Sequence, residues 1–555
     1  MKLTITAILI LLFSLGTSLK GQNQECDTIL YPNANSATVL NGLLSNIKPG
    51  STICLEAGNY YQLRFDNING DSLSPIIIKP KNKKVTIVSD AHYGVRFGMC
   101  SNLMLIGNNS DSVDYNIYIS KIKGNAISVD ERSTDITISG VEVYDVAICG
   151  VTAKTDPDCS FSTVRDSFLL KNLTIENCKF VKTGTEGLYI GNSFFSGYTI
   201  HCNGKDTVVL PHLLSNITIR NNCFDSTGYD GIQITSALLG CRIYGNQIFH
   251  DSQVERYGQM SGIIIGGGSL AECYNNFIAD GKGIGIEVHG TGGTRIYNNI
   301  IVNTGLNYHP GEHGSYGKSG IMIMYNLYNP KLLPYTIVSN TIVSPKTEGI
   351  RFSNINSSNN IIKNNLIVNP GAFAIFTQQG FPYSTSFVNF NINVSSDVSN
   401  NSFLINSDSA GFINSVSNDF RLLPTSTVID AGQDLTHLGI NFDYSNKPRP
   451  SGRNFDIGAF EYYPEQSTEQ LAKNQDIRFT FLNAGCLLIE NKTNGLKSGK
   501  LSIISLNGEI AMNQSIILLP NTNTINLKKH LQMGIYIVRF ANQGIHTSQK
   551  ILLIH

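Results

Sequence analysis

Tryptophan is absent from the 555 residues, and charge is scarce: Asp, Glu, Lys and Arg make up 15% of the chain, with 41 of each sign. A formal net charge of zero removes the electrostatic basis for nucleic acid, or an anionic membrane surface, as a partner. Without tryptophan, any aromatic platform for a ring-shaped ligand falls to Tyr and Phe. No C-x-x-C pair occurs, so cysteine spacing announces no metal site. Past the N-terminus there is no long apolar run, and no membrane span is expected in the mature chain. What is plentiful is glycine, 51 residues, together with asparagine, a composition suited to a β-rich chain of many tight turns.

Residues 1–22 place one lysine before a short apolar run and then small and polar residues, the pattern of a secretory signal. Export makes disulfides admissible for the 11 cysteines. Cys26–Cys54 would staple the first strands, and Cys149–Cys159 would close a short loop. Cys178, Cys223 and Cys273 read as core filling.

One phrase recurs. Gly285-Ile286-Glu287-Val288 has counterparts at Gly187, Gly231, Gly262, Gly320 and Gly349, and the shortest spacing is the 23 residues from Gly262 to Gly285. A second phrase carries asparagine at one fixed position: Asn222, Asn246, Asn276, Asn299, Asn340 and Asn365. A base period in the low twenties with variable insertions is the signature of a β-solenoid, whose coils share one continuous core. Strict alternation sends one isoleucine set inward and the residue between outward. Stacked amides can hydrogen-bond along the axis, and Asn tolerates the left-handed backbone of a sharp corner. The pattern resembles the right-handed parallel β-helix superfamily of pectate lyases, polygalacturonases and chondroitinase B-like lyases. Residues 47–60, with Pro49-Gly50, Thr52-Ile53 and Gly58-x-Tyr60, resemble the opening coil of the chondroitinase B-like proteins.

Two further resemblances follow the repeats. Asp419-Phe420-Arg421-Leu422, Ile429-Asp430-Ala431-Gly432, Arg449-Pro450 and Asp456–Glu461 resemble the choice-of-anchor Q segment that ends many bacterial surface β-helix proteins. Such a segment can cover the last open coil, whose unpaired edge would otherwise invite aggregation. Asn507-Gly508-Glu509, Gly534–Ile537 and the strand at Lys550 resemble the C-terminal sorting domain of the type IX secretion system. That resemblance implies passage through type IX machinery and a secreted or cell-surface location. The expected organisation is all-β: signal 1–22, parallel β-helix 23–418, anchor-like segment 419–463, linker 464–476 and a small β-sandwich 477–555.

Chemistry is confined to outward residues and corner loops. The outward column is Tyr189, Gln233, Ile264, Glu287, Met322 and Arg351, with His289 on the same face as Glu287. Glu186 and Asp230 stand at equivalent positions before their glycines. On neighbouring coils their carboxylates would lie roughly 5 Å apart, the separation of a retaining glycosidase pair, and repulsion would raise one pKa. Both are equally suited to capping a turn. A lyase reading needs a cation to neutralise a uronate and a base to take the adjacent proton. Glu287, Asp230 and Glu186 offer oxygens for calcium, while His289, Arg256, His309 and Tyr257 are the candidates for base or charge stabiliser. The loop 305–319 brings Tyr308, His309, Glu312, His313 and Tyr316 to a sugar. The candidate catalytic set is thus Glu287, His289, Glu186, Asp230 and Arg351. The candidate binding set is Tyr189, Gln233, Arg256, Tyr257, His309, His313 and Tyr316. The N-T-D, D-D, G-H-G and R-I-K set of the polygalacturonases is missing, as is the D-P-H-D phrase of alginate epimerases. The expectation is an exported protein acting on polysaccharide as lyase or hydrolase, the alternatives being a non-catalytic glycan binder or adhesin and a structural stalk.

Overall fold

The computed structural model describes residues 25–107, 115–308, 318–325, 333–371, 387–390, 395–464 and, with short gaps, 477–553. The candidates His309, Glu312, His313 and Tyr316, and the signal segment, lie outside the described residues. Two compact units divide the chain, Met1–Tyr462 and Tyr463–His555.

In the first unit the chain visits three parallel sheets in turn. Thr52–Leu55 lies in the first, Gly58–Tyr60 in the second and Gln62–Asp66 in the third, and Ile76–Pro80 returns to the first. Among the described residues these sheets hold 14, 12 and 12 strands. The repeat sets the register. Ile219, Ile243, Cys273, Ile296, Ile337 and Ile362 form one inward column. Phe224, Ile248, Ile278, Ile301, Ile342 and Ile367 form a second, and Ile232, Ile263, Ile286, Ile321 and Ile350 a third. All belong to one apolar core running through the stack. The architecture is a right-handed parallel β-helix.

The recurring glycines stand in file, as the repeat requires. At Gly285 a Cβ would sit 2.5 Å from Gly320 O and 2.5 Å from Ile301 Cγ2, so only glycine lets the second-sheet isoleucine fill the corner. The asparagines also stack, with one correction. The ladder residues are not the left-handed ones. Positive φ falls on the residue just before, at Asn221, Asn275, Asn298, Ser339 and Asn364, and turns the next side chain inward along the axis.

Cys26–Cys54 forms as expected. Cys149–Cys159 does not: Cys159 pairs with Cys202, at a Cα separation of 5.5 Å, and Cys149 is a buried free thiol. Cys149 is buried at a corner with its thiol on Thr185 and Glu186, whereas Cys159 lies on an exposed loop beside the hairpin Tyr198–Cys202/Lys205–Val209, an insertion between the third and first sheets.

The anchor-like segment does not lie across the end of the stack; it runs along the flank. Arg295 donates to Leu438 O, Asn298 Nδ2 to Phe442 O (2.7 Å), and Asn364 Nδ2 to Gln433 O (2.8 Å). The reason is in the second-sheet strands beneath it. Phe277–Ala279, Ile300–Val302, Thr341–Val343 and Leu366–Val368 are, Thr341 apart, apolar on both faces, so their outward side needs a cover. Phe412, Phe420, Val428, Ile457 and Phe460 supply it. The acids in this segment are structural, as the fully buried Arg449–Glu461 pair at 2.6 Å shows.

The second unit is a small antiparallel sandwich. Ile477–Asn483, Cys486–Asn491 and Asn521–Asn526 form one sheet. Lys497–Ser505, Ile510–Leu518, Gly534–Asn542 and Ile545–Leu553 form the other. Phe479, Leu487, Ile489, Leu501, Ile503, Val538 and Phe540 fill the core.

Candidate functional site

The outward face of the third sheet carries the predicted column intact: Tyr189, Gln233, Ile264, Glu287, Met322 and Arg351 pair in sequence, coil on coil. Over its middle lies an open groove of about 440 Å³. Gln233, Ile264 and His289 form the floor. One wall is the turn at Ser193–Ser196, the other Gly258 and Gln259, and Tyr325 stands at one end. Gly258 and Gln259 belong to the insertion before Ser261–Ile265, and the wall facing them comes from the opposite corner, where the insertion after Leu188–Ile190 folds back. Tyr189 Oη and Gln233 Nε2 both reach Ser193 Oγ at 2.7 Å, which ties that wall to the floor. Arg165 donates to Phe195 O and lies over the Phe195 ring.

Strand alternation places Glu287 and His289 on the same face, and they meet: His289 Nε2 lies 2.8 Å from Glu287 Oε1. The second carboxylate oxygen accepts from Ser261 Oγ at 2.6 Å. Glu287 is buried, while the His289 side chain is 37% exposed at the groove. Burial alone would raise the Glu287 pKa. The His289 contact, the Ser261 hydroxyl and the Lys318 charge outweigh it, and the carboxyl ends below its ordinary range. His289 mirrors this: burial would lower it, Glu287 prevails, and the imidazole is raised above its usual value. Glu287 is therefore ionised near neutrality, and the ring holds its proton longer than a free histidine.

Asp230 and Glu186 occupy equivalent corner positions, as the repeat predicts, but neither opens onto the groove. Asp230 is fully buried; its Oδ1 accepts from Ser261 N at 2.8 Å and its Oδ2 has no hydrogen-bond partner. Burial pushes its carboxyl well above the usual range, and the charges of Glu186 and Glu287 push the same way. Glu186 accepts from Gln259 Nε2 at 2.9 Å and from the Cys149 thiol at 3.2 Å. Arg351 is buried two coils beyond Glu287, with Nη1 3.3 Å from Glu348 Oε1, so it belongs to a separate cluster. Arg256 and Tyr257 are exposed on the loop, and the next two residues, not they, line the groove. Among the described residues no group of three or more His, Cys, Asp or Glu is placed to share a metal ion. Asp230 and Glu287 both accept from Ser261, through its N–H and its hydroxyl, while Glu186 turns to Gln259 and Cys149.

Several residues escaped the sequence reading: Ser261, Gln259, Asp251, Lys318 and the Ser193–Phe195 turn. For Ser261 the signal was present, since it precedes Gly262 as Asp230 precedes Gly231. For Lys318 and Gln259 there was none; both belong to insertions whose path the repeat does not dictate.

The chain matches two family models: right handed beta helix region over residues 125–257, and secretion system C-terminal sorting domain over residues 483–554. No protein of curated function matches it. Among solved structures it is similar to a GH136 lacto-N-biosidase from Eubacterium ramulus, with 13% identity, 68% of each chain covered and a TM-score of 0.43. It is similar also to the pectate lyase Pel9A, with 15% identity, 79% of this chain and 97% of that one, and a TM-score of 0.36. A third is a PL6 family polysaccharide lyase from Pseudopedobacter saltans, with 13% identity, 65% and 92% covered, and a TM-score of 0.30. No helix among the described residues is long and apolar enough to cross a membrane. The chain carries a right-handed β-helix region and a type IX secretion sorting domain, and the protein is secreted or displayed at the cell surface.

Proposed function

We propose that the third-sheet groove engages polysaccharide and that the protein acts on it as a carbohydrate-active enzyme, with His289 as the proton-carrying group and Glu287 as its anchor. The observation that carries this reading is the pair itself: a buried, ionised carboxylate fixing a histidine whose ring opens into the groove. A raised imidazole gives up a proton to a departing glycosidic oxygen, a step shared by hydrolysis and elimination. Asp230 and Glu186 are buried at their corner and do not line the groove, which favours His289 over them as the acting group.

A second reading, a glycan-binding surface without catalysis, is favoured by the rest of the lining. Ser193, Gln233, Thr235 and Gln259 are neutral hydrogen-bonding groups, and Ile264, Phe195 and Tyr325 add apolar area.

The test is incubation of the protein with a panel of uronate and neutral polysaccharides. Ultraviolet absorbance of an unsaturated product reports elimination, and reducing ends without absorbance report hydrolysis. Loss of either signal in His289→Gln supports the enzyme. Silence in both, with retention on a glycan column, leaves the binding reading.

A further inference from the structure

Lys318 is the most deeply buried cation near the groove, fully enclosed beside the third sheet. Its stem runs against Gly305, where a Cβ would come within 2.2 Å of the Lys318 Cβ. Its ammonium meets Met260 Sδ at 3.7 Å and lies 4.4 Å from the centre of the Tyr308 ring. Neither a thioether nor a ring face offers the charge that a buried ammonium needs. The next residues supply it. Met260 adjoins Ser261, whose hydroxyl binds Glu287 Oε2 and whose N–H binds Asp230 Oδ1. One residue on from Lys318, Ser319 O receives the N–H of Gly285 at 3.1 Å, so the lysine sits one coil from the strand that carries Glu287.

Among the described residues, the charged groups around the ammonium come from each neighbouring element. Glu287 and Asp230 belong to the third-sheet side, Asp251 and Glu255 to the 250–261 loop, and Lys346 stands 5.8 Å from the centre of the Tyr308 ring. Glu255 is already matched by Lys282 at 2.7 Å. Burial pushes the Asp230 carboxyl well above its usual range, so it is a weaker source of negative charge than Glu287. Glu287, held below its usual range, and Asp251, raised by burial to about 6, are the acids left to face Lys318 at neutral pH. Burial pulls Lys318 down to about 8 while Glu287, Asp251, Glu255 and Asp230 pull it up, so it is charged at neutral pH.

We propose that Lys318 is a positioning residue, an internal counter-cation that keeps Glu287 ionised from behind so that Glu287 can hold His289 at the groove. It touches no substrate and acts only through Glu287. The proposal rests on the reading of the Glu287–His289 pair as the working centre, but its test does not depend on turnover.

The experiment uses the full chain with selectively labelled histidine and follows the His289 ring signal by NMR during acid titration, without glycan. The signal is assigned by its loss in His289→Gln. Protonation of Glu287 breaks the pair and appears as a step in that signal. Removing a nearby positive charge raises a carboxyl pKa, so in Lys318→Met the step moves to higher pH by at least about one unit. Lys318→Gln, which keeps a polar side chain but not the charge, is the second variant should the methionine fail to fold, and the same move is expected. Lys318→Arg restores the wild-type position. A step left in place in the neutral variants, or moved as far by arginine as by methionine, overturns the proposal. If the glycan panel is silent while the step moves, the assignment of Lys318 stands and the catalytic reading falls.

Discussion

At the corner between the first and second sheets, the amides of Asn222, Asn246, Asn276, Asn299, Asn340, Asn365 and Asn401 form a continuous chain, each Nδ2 giving to the next Oδ1 at 2.9–3.0 Å. Each amide is used on both sides. Asn299 also donates to Cys273 O at 2.9 Å and accepts the backbone N–H of Asn276 at 3.0 Å. On the third sheet, groups at the same coil spacing do the opposite. Asp230 Oδ2 and Gln233 Oε1 are buried without hydrogen-bond partners, the Glu287 carboxyl is lowered and the His289 imidazole raised, and burial pushes the Asp230 carboxyl well above its usual range. Both columns are buried polar stacks in one tube. The difference teaches that stacking alone does not decide their use: a neutral group that both donates and accepts closes on itself, whereas acids only accept when ionised and leave work for another molecule.

Breaking the closed column should have the larger effect on stability. Asn299→Leu removes the receiver for the Asn276 amides and the donor to Cys273 O and Asn340 Oδ1. With roughly 1–3 kcal/mol per stranded buried group, a loss of about 4 kcal/mol or more is expected in denaturant unfolding of the β-helix unit. The open column should respond in function instead. Glu287→Gln and His289→Gln keep size and some hydrogen bonding, so the melting temperature stays near wild type, while turnover falls roughly 10²-fold or more. Should Glu287→Gln unfold the protein as Asn299→Leu does, the contrast between the columns fails.

Asp230→Asn sharpens the same comparison with a smaller effect. The folded pKa of Asp230 lies above its unfolded value, so the folded state binds the proton more tightly. Stability is then greatest below the unfolded pKa, near 4, and declines as pH rises towards the folded value. Asparagine cannot ionise and removes that decline. The variant should match wild type near pH 4 and equal or exceed it at pH 7–8 in denaturant midpoints. A variant less stable at pH 8 than at pH 4, relative to wild type, would show that Asp230 is ionised in the fold.

How far the residues announced all this follows from the same physics. Columns are periodic, so the file from Gly187 to Gly349, the ladder from Asn222 to Asn365 and the outward row from Tyr189 to Arg351 were legible to the residue. That Glu287 and His289 share a face was legible too, because alternate residues of a strand do; their contact is added by the fold. Burial at a corner was not. Nothing in the phrase around Asp230 tells that Gln259, from a loop 29 residues on, will close over the neighbouring Glu186. Lys318 and the Ser193–Phe195 wall lie in insertions, where the repeat imposes no register. The phrases of the anchor-like segment do not by themselves tell which strands it covers. Phe277, Ile300, Val343 and Leu366, apolar where polar residues were due, were the visible sign that a flank needed a lid.

The gentlest way to disturb the open column leaves its floor untouched. Cys202 lies on the hairpin that follows the Ser193–Ser196 wall, and its disulfide to Cys159 is the one covalent tie seen among the described residues on that side. The asparagine column has no such dependence, for its bonds lie within the coils. Reduction should therefore loosen the wall without unstacking the tube. Cys26–Cys54 is reduced at the same time, so the variant Cys159→Ser/Cys202→Ser isolates the effect. In that variant the melting transition of the β-helix unit should stay within a few degrees of wild type, because the hairpin contributes little to the core. Glycan affinity should fall a few-fold, carried by faster dissociation, as Ser193 and Phe195 lose their fixed place above Gln233 and Ile264. An affinity that does not change would move the binding face away from this wall and towards the Gln259 side.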